Sequence, residues 1–180
     1  MRPVIFFLAA SRLAVSAPAF AENPDPVAPV KEVMDVTVAN WSDNVEEWKS
    51  IFEGDRLNRL YTKEIVDLYK KASEKAAKVF ESDEPVDPFD YDVVTNSQDG
   101  CPLQDVKISL VGEKDGIADV LATFKLWTCE DNADTKNTVS EVHFDVVTED
   151  GRAVIKDIHH IVDGERDSVV DEMQSILKAE

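Results

Sequence analysis

From Val106 onward, apolar residues recur at every second position in successive runs, and this alternation constrains the fold more than any other feature of the chain. Val106, Ile108 and Leu110 make the first run. Ala118, Val120, Ala122, Phe124 and Leu126 make the second, with Asp119, Thr123 and Lys125 between them. Val142, Phe144 and Val146 make the third. The turn Glu149-Asp150-Gly151-Arg152 then leads into a fourth, Ala153 to Val162. A period of two puts alternate side chains on opposite faces of a strand. A one-residue slip sends a whole apolar set to the wrong face, so register can be worked out from residue numbers.

Centring the first hairpin on Asp115 makes Leu110 face Val120, Ile108 face Ala122 and Val106 face Phe124. The same register carried outward sets Cys101 opposite Cys129, and predicts a disulfide at the open end of the hairpin. Closing that loop contributes about 3–4 kcal/mol in the chain-entropy treatment. A second hairpin centred near Ala133 pairs Phe124 with Val142, Ala122 with Phe144 and Val120 with Val146. A third, centred on Asp150, pairs Val146 with Val154 and Val142 with Ile158, but sets Phe144 against Lys156. The expected product is a curved antiparallel meander of four strands with one apolar face for helices to cover.

The N-terminus supplies the oxidising context that the cysteine pair needs. Arg2 precedes the run Val4-Ile5-Phe6-Phe7-Leu8-Ala9-Ala10, which leads to Ala19-Phe20-Ala21, a small-x-small pattern. Residues 1–21 therefore read as a signal peptide cut after Ala21, too short for a permanent span. Residues 22–29, with Pro24, Pro26 and Pro29, read as a linker, and residues 30–180 as one domain. The destination is periplasmic or secreted, where a disulfide persists. No later stretch has the apolar length of a membrane span.

Ahead of the strands, the apolar spacing becomes helical. Val30, Val33, Met34, Val38 and Trp41 suggest one helix. Val45, Trp48, Ile51 and Phe52 suggest a second short one, capped by Ser42 or Asp43 and stopped at Gly54. Thr62 caps a longer helix whose stripe is Ile65, Leu68, Tyr69, Ala72, Ala76, Val79 and Phe80. Residues 87–100 read as a loop with one short strand. Ser168 to Leu177 closes the chain as a helix, with Ser168 and Asp171 forming a capping box. The class is α+β: N-terminal helices on the sheet, and a C-terminal helix.

The chain is acidic, with a net charge of -18; losing Arg2 and Arg12 makes it -18 - 2 = -20. Such a surface repels phosphate backbones and anionic lipid, so nucleic acid and membranes are poor partners. A basic protein, a cationic ligand or a metal ion fits better.

Chemistry-bearing residues gather on the outer face of the expected sheet. There His143 lies opposite Asp157, and Glu141 opposite His159 and Lys125. Such a set can bind a divalent metal or run proton transfer, or simply form cross-strand charge pairs on a solvated face or a dimer interface. His160 points the other way, toward the helices, and Tyr61, Tyr69, Tyr91 and His160 are the candidate pocket residues. No spacing of His or Cys supports a metal site, no glycine-rich loop cradles phosphate, and no nucleophile motif occurs. No cofactor or metal is called for, and no residue is assigned a catalytic role.

Leu57-Asn58-Arg59-Leu60-Tyr61-Thr62, the segment from Phe89 to Asp99, and Ile155-Lys156-Asp157-Ile158 resemble the NTF2-like (cystatin-like) superfamily. Within it they resemble the DUF3828-like group of exported bacterial domains of unknown function. The resemblance covers roughly Val30 to Leu177. It implies a cone-shaped pocket between helices and sheet, and a homodimer through the sheet. The superfamily holds both isomerase-type enzymes and binding modules, and no acid–base set of the enzymes matches here residue by residue. The first functional expectation is thus an exported, non-enzymatic binding or interaction module. Two alternatives are a small acid–base enzyme of isomerase or hydratase type using Asp157 with His143 or His159, and a periplasmic inhibitor or immunity protein.

Overall fold

The computed structural model describes residues 24–162 and 164–179. The proposed signal peptide and its cut at Ala21 lie outside the described residues. In chain order the elements are helices α1 (Val27–Asn40), α2 (Gly54–Leu60) and α3 (Lys63–Val79), strands β1 (Gln104–Lys114) and β2 (Ile117–Lys125), and the short helix α4 (Ala133–Lys136). Strands β3 (Ser140–Glu149), β4 (Arg152–Val162) and β5 (Glu165–Arg166) follow, and helix α5 (Val169–Lys178) ends the domain. The sheet is one antiparallel meander in the order β1-β2-β3-β4-β5. The α+β class holds, with a fifth, two-residue strand added to the four expected.

The first helix begins at Val27, inside the stretch expected to be a linker. Its first turn accepts Pro29 at no cost, because the N–H groups of a first turn have no helical partner. Val27 N donates to Asp25 Oδ1 at 2.9 Å, which starts the turn. The helix buries Val30, Val33 and Met34.

The helix expected around Val45 to Phe52 is absent. Asn40 straps that segment into a loop: its Nδ2 donates to Lys49 O at 2.8 Å, and Lys49 N donates to its Oδ1 at 3.0 Å. Ile51 and Phe52 are buried, whereas Val45 and Trp48 are exposed. Gly54 opens a helix instead of ending one, with φ +59°, a conformation that glycine adopts without strain. Arg59 then ties α2 to α1 through a two-pronged pair with Glu32, at 2.6 and 2.5 Å.

Helix α3 starts where expected, Thr62 Oγ1 accepting from Ile65 N at 3.4 Å. Its apolar stripe ends early, since Val79 and Phe80 are 71% and 69% exposed. Helix α5 packs on α3 and β4. Ser168 Oγ caps it by accepting from Asp171 N at 3.0 Å, and Lys75 Nζ donates to Leu177 O at 3.2 Å, tying α3 to its far end.

Register agrees with the numbering argument in part. Leu110 pairs with Val120 and Ile108 with Ala122, as expected; irregularities on either side of this stretch leave Val106 without its expected partner. Strand β1 lies at the sheet edge, so Val106 and Ile108 are half-buried and Leu110 is exposed. The second hairpin is shifted by two residues: Ala122 pairs with Val142, Val120 with Phe144 and Ala118 with Val146. The intervening segment is no simple turn; it holds α4, capped by Asn132 Oδ1 accepting from Asp134 N and Thr135 N. A shift of two preserves the face, so the apolar set still points inward. The third hairpin pairs Phe144 with Ile158 and Val142 with His160, with a bulge at Asp145/Val146 that resumes the ladder at Val146–Ile155. The bulge resolves the expected clash of Phe144 with Lys156, which is exposed.

The core lies between the inner sheet face and the helices. Phe124, Phe144, Met34, Ile65, Leu126, Ile155, Ile158 and Met173 are fully buried there. Tyr61 joins β4 at its edge, forming a bridge with Ile155, while Thr62 N donates to Ile155 O at 2.9 Å. Cys101 and Cys129 form the expected disulfide, with Cα atoms 5.7 Å apart. Beside it Cys101 N donates to Leu126 O at 2.8 Å. Gly100, just before the bridge, is closely packed: a Cβ there would lie 2.4 Å from Leu126 Cδ1 and 2.9 Å from Trp41 Cζ3, so those side chains would have to shift. No helix among the described residues is long and apolar enough to cross a membrane.

Candidate functional site

The outer sheet face brings His143, Asp157 and His159 together but leaves Glu141 and Lys125 apart from them. The two-residue shift explains the difference. His143 pairs across the strands with His159, not Asp157, and Glu141 pairs with Thr123. Lys125 Nζ turns to Asp105 at 2.8 Å. Asp119, Asp145 and Arg166 complete the group. His143 Nδ1 lies 2.8 Å from Asp119 Oδ1, and Arg166 Nη2 lies 2.8 Å from Asp145 Oδ1 and 3.7 Å from Asp119 Oδ1. His159 Nε2 lies 3.3 Å from Asp145 Oδ2 and 3.7 Å from Asp157 Oδ2.

Ring chemistry sets the charge of His159. Its Nδ1 faces the Asp167 carbonyl, which only accepts, while its Nε2 faces two carboxylates. Both nitrogens are best satisfied carrying protons. Burial pushes the imidazolium toward deprotonation, but Asp145, the Asp167 carbonyl and Asp157 outweigh it and raise the pKa above the ordinary value. Asp145 is lowered in return, chiefly by His159, against its own burial. Asp157 also holds the start of α5, where its Oδ2 accepts from Ser168 Oγ at 2.6 Å and its Oδ1 from Val170 N at 3.1 Å. Among the described residues no group of three or more His, Cys, Asp or Glu side chains is arranged to hold a metal ion.

The tyrosines do not share a pocket with His160. Tyr61 and Tyr69 lie against Phe52, at ring distances of 4.9 and 4.6 Å. Burial pushes both phenols up. Tyr91 packs edge-on against Phe89 at 6.0 Å, and its hydroxyl donates to Glu172 Oε2, fastening the 87–100 loop to α5. A space of about 30 Å³ beside Tyr91 suits little more than water. Tyr61 lines a separate cleft of about 240 Å³ with Lys63 and Arg152.

His160 lines a different cleft, of about 430 Å³, between the Thr95–Ser97 loop, Leu126–Trp127, the start of β3 and the end of β4. That volume falls in the range of small-molecule sites. Thr95 and His160 are 7% and 6% exposed. Yet Thr95 Oγ1 and His160 Nε2 are both buried without a hydrogen-bond partner. Most buried polar atoms in folded proteins are paired, so these two stand out, although both lie behind the cleft wall with almost no accessible surface of their own. The His160 ring is fixed from behind. Asp167 Oδ1 accepts from His160 N at 2.5 Å, and Asp167 Oδ2 lies 3.2 Å from Nδ1. Asp167 thus holds the ring from its Nδ1 side.

The rest of the cleft is amphipathic. Val139, Ile161 and Val162 are 52%, 48% and 46% exposed at its rim. Trp127 and Leu126 form an apolar wall held by the neighbouring cystine. Glu141 lines it, and no Lys or Arg does. His160 is legible in the sequence as an inward-facing polar residue on an apolar strand. Thr95 is not, because only tertiary packing of the loop carries it there. No protein-family model, curated protein or solved structure matches this chain.

Proposed function

We propose that this is an exported, non-enzymatic binding module that takes a small ligand in the cleft lined by Thr95 and His160. The observation that carries the reading is a cleft of about 430 Å³, of small-molecule size, that combines the exposed apolar rim of Val139, Ile161 and Val162 with the polar residues Thr95, Glu141 and His160. The Cys101–Cys129 bridge and the apolar run at residues 4–10 support a periplasmic or secreted address. Helices preceding a bent antiparallel meander, and a closing C-terminal helix, support kinship with the NTF2-like superfamily. The acid–base reading has less support: His143, Asp157 and His159 are engaged in charge pairs and helix capping, and the Thr95/His160 cleft contains none of them.

The test is native mass spectrometry of mature, oxidised protein purified without denaturation, beside the Ile161→Asp variant. The expected result is a small bound mass on the parent that the variant lacks. A parent found only at its bare mass, and showing no amide shifts at Thr95, Trp127 or His160 across a small-molecule panel, would overturn the reading.

A further inference from the structure

We infer that two copies of this chain pair edge to edge, β1 against β1, in an antiparallel twofold dimer that joins their sheets. Strand β1 is a long outer edge of the sheet. Among the described residues, no backbone hydrogen bond reaches Gln104–Lys114 except the ladder with β2. The opposite edge is covered. There β5 pairs with the end of β4, Tyr61 bridges Ile155, and Thr62 N donates to Ile155 O at 2.9 Å. An open strand presents a row of unpaired N–H and C=O groups, whose natural complement is another strand. Irregularities between Gln104 and Lys107, and between Leu110 and Gly112, confine regular pairing to the stretch Val106 to Leu110.

The sequence of that stretch complements itself. A twofold axis at Ile108 sets Ile108 against Ile108, Val106 against Leu110 and Lys107 against Ser109. Ile108 and Leu110 pair with the buried Ala122 and Val120, and Val106 packs against the core, so all three lie on the inner face. The dimer therefore continues one apolar row across the seam and covers Leu110, which is 47% exposed in the single chain. Leu110 also borders a cleft of about 450 Å³, shared with Pro26 and Ala118, which leaves room beside its side chain. Charge selects the same register. Strand β1 holds two acidic residues, Asp105 and Glu113, and two basic ones, Lys107 and Lys114. It is thus neutral in a chain that carries -18, so a second copy meets little local repulsion there. Centring on Lys107 would oppose two lysines, and centring on Ser109 would oppose Asp105 and Glu113 twice. This self-match favours a second copy over a foreign strand.

Sedimentation equilibrium of mature oxidised protein, from about 5 to about 300 µM, tests the pairing. The expected result is a monomer–dimer equilibrium whose dissociation constant Leu110→Lys, at an exposed position, raises at least about tenfold. A short bis-maleimide tests the register. It should link two copies of Ile108→Cys, which meet at the axis, and should not link Gly112→Cys, whose copies stand far apart along the strands. A parent that is monomeric at every concentration would overturn the proposal, including one whose β1 amides respond only to an added extended peptide. Assembly beyond a dimer, or a dimer that Leu110→Lys leaves intact, would also overturn it. So would linkage of Gly112→Cys in place of Ile108→Cys.

Discussion

Asp157 reaches from β4 to the start of α5 and accepts a hydrogen bond from Ser168 Oγ at 2.6 Å. Its other oxygen accepts from Val170 N at 3.1 Å and from Ile158 N at 2.8 Å. One carboxylate thus joins a strand to the N-terminus of a helix, where negative charge is favoured. Asp157→Ala is expected to destabilise the protein by about 1–3 kcal/mol, the range for losing a cap together with a charged acceptor. Urea unfolding measures the cost. Hydrogen exchange should show a larger loss of protection in α5 than in β2; equal protection of α5 in parent and variant would contradict this role.

Stability should also depend on the charge of His159. Its pKa is raised in the folded state above 6.5, so its contribution is full below pH 6.5 and disappears as pH rises through the folded value. Asp145, lowered below 3.8, works in the opposite direction: its contribution is present above pH 3.8 and disappears as pH falls through its folded value. Their shared contribution is therefore greatest between about pH 4 and pH 6.5. His159→Gln should flatten the alkaline fall in a pH series of urea midpoints. An unchanged slope above pH 6.5 would exclude His159 as its source.

Reducing the cystine should cost about 3–4 kcal/mol by the loop-closure relation. Denaturation of the parent with and without reductant, beside the Cys101→Ala/Cys129→Ala double variant, gives the value. The double variant should be insensitive to reductant. Because Cys101 N holds Leu126 O beside the bridge, its loss should also broaden the Trp127 signals of the cleft wall.

Gly100→Ala should destabilise by about 1–3 kcal/mol, the usual range for overpacking. The added carbon would meet Leu126 and Trp41, both part of the packed interior or its margin. Thermal unfolding tests the loss. Gly100→Ala combined with Leu126→Ala separates steric conflict from backbone effects: the two costs should be less than additive.

The sheet is legible in the sequence because parity is robust. Leu110 and Val120 can be paired from their numbers because a short turn fixes them. The partner of Val142 falls two residues from its expected place, since α4 makes the connection longer and less regular than a hairpin turn. That shift leaves the inward set intact but changes the neighbours of His143, so the outer cluster forms with different pairings. Asp119 and Asp145 belong to it by parity alone. The opposition of Phe144 and Lys156 is itself the mark of a bulge.

The helical half is less legible, because helical spacing tolerates loops with apolar anchors. Ile51 and Phe52 are buried as a helix would bury them, but Asn40 satisfies the backbone at Lys49 and shapes a loop. Gly54 is ambiguous because glycine serves either end of a helix. The cleft draws on segments far apart in sequence, Thr95 and His160 among them. No local pattern reports that meeting, and the three tyrosines are plausible by type but belong to packing around Phe52 and Phe89.

The bridge between Cys101 and Cys129 has a kinetic consequence too. Once formed, it confines β1 and β2 to a loop with a sequence separation of 28. In refolding with the bridge kept intact, the encounter of their outer ends is settled before the sheet condenses. Folding rate falls as contacts become more distant along the chain. A covalent link at the far end of the first hairpin makes that pairing a local event, and gives the later strands β3 and β4 a preassembled edge on which to add.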